Sequence, residues 1–167
     1  KYSEHANGMA LALKIADKDQ GISIVEKLLA DDPNLFIKRS TGMTIVTPAL
    51  SYFLHKGIAQ YGHVDASFDL LRRRFDHMLA PQYNGTLWEE WWLDGTGRSG
   101  KLDNRITRSD AQTESAFMPA LFAEFLLGVK PSIPGMKEVI IQVPQTKIKK
   151  IAAVVPSPLG ILNVNWN

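Results

Sequence analysis

Pro131-Ser132-Ile133-Pro134-Gly135 is the stretch on which the fold turns. Two prolines and a glycine within five residues neither continue a helix nor sit in a central strand. Before this stretch apolar residues recur at helical spacing. After it they come in short, β-branched runs. The sequence therefore predicts a helical domain over residues 1–130 and a β domain over 136–167.

Upstream, helix follows helix. Ser3 is a natural N-cap, and Ala6, Met9, Ala10, Leu13 and Ile15/Ala16 approximate a 3.6-residue period. Asp19 is the expected cap of a second helix carrying Ile22, Ile24, Val25, Leu28 and Leu29, stopped by Asp31-Asp32-Pro33. Thr47-Pro48 pairs a cap with a first-turn proline and opens a third helix. It is expected to bury Leu50, Phe53, Leu54 and Ile58 and to end near Gly62. Asp65 starts a fourth, with Phe68, Leu71, Phe75 and Met78/Leu79 on one face, and a last helix tolerates Pro119 in its first turn and ends at Gly128. Paired helices joined by loops suggest a helical barrel built from hairpins. Downstream, Val139–Val143, Ile151–Val155 and Ile161–Trp166 read as strands. Alternation in the last one puts Ile161, Asn163 and Asn165 on one face and Leu162, Val164 and Trp166 on the other.

The chain has 167 residues, with 19 Lys and Arg against 17 Asp and Glu, for a net charge of +2. No basic stripe carries interleaved aromatics, so nucleic-acid binding has no support. The densest basic run, Arg72-Arg73-Arg74, is expected on the solvated face of its helix. With no cysteine, thiol nucleophiles, disulfides and cysteine zinc sites are excluded. His5, His55, His63 and His77 show no metal-ligand spacing, and neither a metal nor a cofactor is expected. No run approaches the roughly 18 apolar residues of a membrane span. The compartment stays open between cytoplasmic and exported. The opening Lys1-Tyr2-Ser3-Glu4 lacks an initiator Met and a leader pattern, which suggests a piece of something longer.

The chemistry is concentrated at Trp88-Glu89-Glu90-Trp91-Trp92. Indole faces stack on the C–H faces of sugar rings, and a carboxylate beside them can take a proton from water aimed at an anomeric carbon. The competing reading is an aromatic corner whose acids sit on its wet side. Asp94, in the loop that follows, is a candidate acceptor for sugar hydroxyls, although loop acids are often turn formers. There is no G-x-S-x-G, phosphate-loop or dinucleotide pattern.

These residues also resemble a family. Ser3-Glu4-His5 leading into Ala10-Leu11-Ala12, Thr47-Pro48-Ala49-Leu50, Tyr61-Gly62-His63-Val64-Asp65, Gly85-Thr86-Leu87-Trp88-Glu89-Glu90-Trp91, Pro134-Gly135-Met136-Lys137 and Pro156-Ser157-Pro158-Leu159-Gly160 to Val164-Asn165-Trp166 occur in the order of the matching motifs of bacterial α-L-rhamnosidases, glycoside hydrolase family 78. The resemblance implies a mainly α fold: roughly the C-terminal half of a six-hairpin (α/α)6 barrel, followed by the start of a β-sandwich. It implies an inverting hydrolase of terminal α-L-rhamnosyl or related residues, acting on a rhamnosylated saccharide or glycoside. Glu89 maps onto the general base, and the pattern favours it over Glu90. Trp88, Trp91 and Trp92 become the stacking platform. The general acid would lie N-terminal to Lys1, and the missing half of the barrel, or a second copy, becomes an expected partner. One departure stands out: where the family shows S-x-N-H, this chain has Thr113-Glu114-Ser115-Ala116, so a sugar-contacting histidine is replaced by Ala116. Glu114 is a candidate substitute, or else a helix-start acid favoured by the macrodipole.

Two other functions stay open: a non-catalytic carbohydrate-binding module that uses the tryptophans without turnover, and a structural helical domain that docks to a partner.

Overall fold

The computed structural model describes residues 3–30, 43–79, 85–89 and 111–167. By contact the chain forms two compact units, residues 1–117 and 118–167. The helix expected to close the helical domain thus belongs with the strands.

The first unit holds α1 (Glu4–Ala12), α2 (Lys18–Ala30), α3 (Ser51–Gln60), α4 (Val64–Met78) and a 3-10 turn at Thr113–Ser115. Ser3 caps α1 as expected, its Oγ accepting from the Ala6 N–H at 3.1 Å. The buried face of α1, however, is Glu4, Gly8, Leu11 and Ala12, whereas Leu13 and Ile15 stand in solvent. The α2 cap is Asp17, not Asp19. Asp17 Oδ1 accepts from the Gln20 N–H at 2.8 Å, and Gln20 Oε1 accepts in return from the Asp17 N–H at 3.3 Å, a reciprocal capping box. Thr47-Pro48 leads into a turn, and α3 begins three residues later, at Ser51.

Two glycines set the spacing of α1 and α3. A Cβ on Gly8 would stand 2.7 Å from Leu54 Cα, and one on Gly57 would stand 2.6 Å from Leu11 Cβ. Both helices ascend together along this contact, which is therefore parallel, like the bridge Ser3–Thr44 beside it. That sense requires α2 to carry the chain back. Its first turn meets the end of α3, where the Tyr61 ring lies across Gly21 and the Tyr61 hydroxyl donates to the Ala16 carbonyl at 3.3 Å. Its later residues Val25 and Leu28 join Leu11, Val46, Leu54, Ile58 and Leu70 in one apolar core. α4 is tied to α3 by Ser67 Oγ, which donates to the His55 carbonyl at 2.8 Å.

The second unit opens with α5 (Met118–Leu121), which carries Pro119 in its first turn and continues as a π-helical turn over Phe122–Leu126. Gly128 ends it at φ +69°, with its backbone so near Gln142 that a Cβ would fall on that carbonyl. Strands follow earlier than expected. β1 (Val129–Pro131) pairs antiparallel with β2 (Val139–Ile141), so the proline-rich stretch is the connection inside a hairpin. β3 (Ile151–Ser157) pairs antiparallel with β4 (Gly160–Trp166) in a separate two-stranded sheet. Val164 of β4 is buried with Leu127, Val129 and Val155, with Leu162 and Trp166 packed alongside, while Ile161 is exposed, in keeping with the alternation read from sequence. The Trp166 indole N–H donates to the Leu127 carbonyl at 2.8 Å.

Candidate functional site

Glu89 projects from a backbone held on two sides. The Trp88 N–H donates to Met78 Sδ at 3.4 Å. The Trp88 carbonyl accepts from Ser115 Oγ at 2.9 Å, and the Leu87 carbonyl accepts from the Gln112 N–H at 2.8 Å. These bonds join residues 87–88 to both the end of α4 and the segment 112–115. Glu89 is half-buried, and Ser115 is fully buried. The arrangement holds the backbone that leads into Glu89.

Trp88, expected in the stacking platform, is buried in this chain. Its relative exposure is 1%. Trp91, Trp92, Asp94 and Glu90 lie outside the described residues. Glu114 is exposed and accepts from Thr113 Oγ1 at 3.2 Å. It lies between Gln112 and Ser115, the two residues bonded to Leu87 and Trp88. Ala116 is followed by Phe117, whose ring meets Tyr52 and Phe75 edge-on at 5.8 and 5.6 Å and stacks on His55 at 6.2 Å.

Beneath this lies a polar cluster that the sequence reading missed. Glu4, the first residue of α1, is wholly buried. Its two carboxylate oxygens accept from both terminal nitrogens of Arg74, each at 2.8 Å, and Oε2 also accepts from the Val46 N–H at 3.0 Å. Arg74 is wholly buried too, which corrects the expectation that its basic run lies in solvent. Only Arg72 and Arg73 face outward, toward Asp69. Bidentate, charge-assisted pairing is the geometry in which a buried guanidinium and carboxylate best offset their desolvation. His55 is buried with them. Burial, and then the Arg74 charge, lower its pKa from 6.5 to about 3, against the opposing pull of Glu4 and of the Ser67 backbone. Its ring nitrogens have no hydrogen-bond partner among the described residues, so it is a neutral ring at ordinary pH.

The signal for this cluster was in the sequence. Ser67, Leu71, Arg74 and Met78 share one stripe of α4, Ser51, Leu54, His55 and Ile58 one stripe of α3, and Glu4, Gly8 and Leu11 one stripe of α1. A charged residue on each of two apolar stripes is the mark of a buried pair. One turn of α4 separates Arg74 from Met78, so the ion pair and the anchored Trp88 rest on the same helix.

Among the described residues no group of three or more His, Cys, Asp or Glu could hold a metal ion, and no helix is long and apolar enough to cross a membrane.

No family model matches the sequence, and no curated protein matches it. Among solved structures the chain is similar to the crystal structure of a GH78 family rhamnosidase of Bacillus sp. GL1, at 24% sequence identity and a TM-score of 0.73. The similarity covers 99% of this chain and 16% of that one. At this identity the likeness is one of fold, and it runs through both the helical and the β-stranded unit.

Proposed function

We propose that this chain is part of a glycoside hydrolase acting on α-L-rhamnosyl or related residues, and that it supplies the general base, Glu89. The observation that carries the reading is the anchoring of Trp88 to Met78 and Ser115, which sets the next residue, Glu89, in a chain whose fold is like a segment of a rhamnosidase. In this reading Glu89 takes a proton from a water that attacks the anomeric carbon from one ring face. An acid outside these 167 residues protonates the leaving oxygen from the other, at the carboxylate separation of about 6.5–9.5 Å that inversion requires. Trp91 and Trp92 supply the stacking faces, Asp94 and Glu114 accept from sugar hydroxyls, and the helices form half of an (α/α)6 barrel completed by further sequence.

The 167-residue chain alone should not turn over an aryl α-L-rhamnoside, because a lone base loses orders of magnitude in rate. A longer polypeptide that contains it should do so, and proton NMR of the first-formed sugar should show inverted anomeric configuration. Turnover by the purified chain, or retention in the longer one, defeats the proposal. A second reading, a structural corner without catalysis, draws support from the burial of Trp88. It predicts no glycosidase activity in either polypeptide.

A further inference from the structure

Two consecutive peptide planes lead into Glu89, and both are hydrogen-bonded to other parts of the fold. The Leu87–Trp88 plane is held at both of its polar groups. Its carbonyl accepts from the Gln112 N–H at 2.8 Å, and its N–H donates to Met78 Sδ at 3.4 Å. The Trp88–Glu89 plane is held at its carbonyl, which accepts from Ser115 Oγ at 2.9 Å. A peptide unit is rigid and planar, so Glu89 Cα, which lies in the second plane, goes where that plane goes. The two planes turn against each other only through φ and ψ of Trp88, whose side chain is itself buried.

Ser115 is built to hold this plane. It closes the 3-10 turn Thr113–Ser115, where its N–H donates to the Gln112 carbonyl at 3.1 Å. The residue that grips Leu87 and the residue that grips Trp88 are thereby tied to each other. Ser115 is also fully buried, so bulk water does not compete for its hydroxyl.

We propose that Ser115 is a positioning residue for Glu89: its hydroxyl fixes the peptide plane that carries Glu89 Cα, and with it the place from which the carboxylate reaches the attacking water. The proposal rests on the reading of Glu89 as general base. Buried, the hydroxyl is a partner neither of the sugar nor of that water, and it takes no part in proton transfer. What it sets is a distance, and a misplacement of about 1 Å can cost about 100-fold in rate with the chemistry of the base unchanged.

Backbone order is read first, by 15N relaxation of the labelled 167-residue chain without substrate. In Ser115→Ala the order parameter of the Glu89 amide should fall from the about 0.85 of a rigid backbone toward about 0.6. The Trp88 amide, on the plane that Gln112 and Met78 still hold, should stay near the parent. Ser115→Cys fills the space of the hydroxyl but donates weakly, so it should loosen Glu89 as well. Steady-state kinetics follow, in a rhamnoside-hydrolysing polypeptide that contains this chain. Ser115→Ala should lower kcat by about 10–100-fold and leave KM within about twofold of the parent, the pattern of an interaction lost at the transition state alone. An unchanged Glu89 amide, order lost across the whole helical unit, a Cys variant equal to the parent, or unchanged kcat where Glu89→Gln is crippled would each overturn the proposal. Full kcat in Glu89→Gln overturns the base assignment itself, and the amide reading then still decides whether Ser115 holds Glu89.

Discussion

Arg74→Met tests the buried ion pair beneath the candidate site. Both side chains of the pair are 0% exposed, and the substitution removes two hydrogen bonds of 2.8 Å. Glu4 keeps the Val46 N–H but loses its counter-charge. Removing one partner of a buried pair costs about 3–5 kcal/mol, a large share of the about 5–15 kcal/mol that holds a domain together. For a chain of this length that is a fall in Tm of about 6–20 °C. The assay is urea unfolding followed by far-ultraviolet circular dichroism, with the m-value compared between variants. Arg73→Met is the control. Its bond to Asp69 is 3.0 Å long but lies at the surface, and the change should cost less than about 1 kcal/mol. In the double variant Glu4→Met/Arg74→Met the remaining deficit is chiefly the Val46 N–H, about 1–3 kcal/mol, so it should be more stable than Arg74→Met alone. A cost below about 1 kcal/mol for Arg74→Met, or strict additivity in the cycle, would refute the reasoning.

His55 should make the helical unit acid-sensitive. Its folded pKa is lowered to about 3, so above pH 6.5 it is neutral in both states and contributes no slope. As pH falls below 6.5 the unfolded chain takes up a proton that the folded one refuses, and stability drops by up to about 1.4 kcal/mol per pH unit toward pH 3. Urea midpoints at pH 7, 5.5 and 4.5 should show a shallower fall for His55→Leu than for the parent, and an equal fall would contradict the assignment. Gly8→Ala should destabilise by about 1–3 kcal/mol by overpacking, because its Cβ meets Leu54 backbone at 2.7 Å. An unchanged thermal midpoint would mean that α1 and α3 do not pack this closely.

Much of the fold was legible where local chemistry decides it. The Ser3 cap, the Gly128 stop and the two-residue period of β4 depend on groups within a few residues of one another. Errors came where a distant partner decides. Leu13 and Ile15 fit a helical period, yet the face α1 buries is chosen by close approach of α3 at Gly8 and Gly57. Asp19 was expected to cap α2, a local misreading: Gln20, three residues after Asp17, completes the capping box at Asp17 instead. Val129–Pro131 carries no strand pattern of its own and is drawn into one by β2. Arg74 sits inside a run of three arginines and looks solvated until Glu4, seventy residues earlier, is seen to face it. The candidate site was legible as composition. Its support, Met78, Gln112 and Ser115 holding the backbone at Leu87 and Trp88, was not, because a thioether, an amide and a hydroxyl at those distances in sequence carry no shared pattern.

The most direct test of the central claim is kcat for Glu89→Gln in a rhamnoside-hydrolysing polypeptide that contains this chain. The amide is nearly isosteric and still hydrogen-bonds, but it takes no proton from water at neutral pH. With Glu89 as general base, kcat falls by about 10²–10⁴-fold while substrate affinity and thermal stability stay close to the parent, and Glu90→Gln changes kcat far less. Full kcat in Glu89→Gln, or loss of activity in Glu90→Gln instead, contradicts the account.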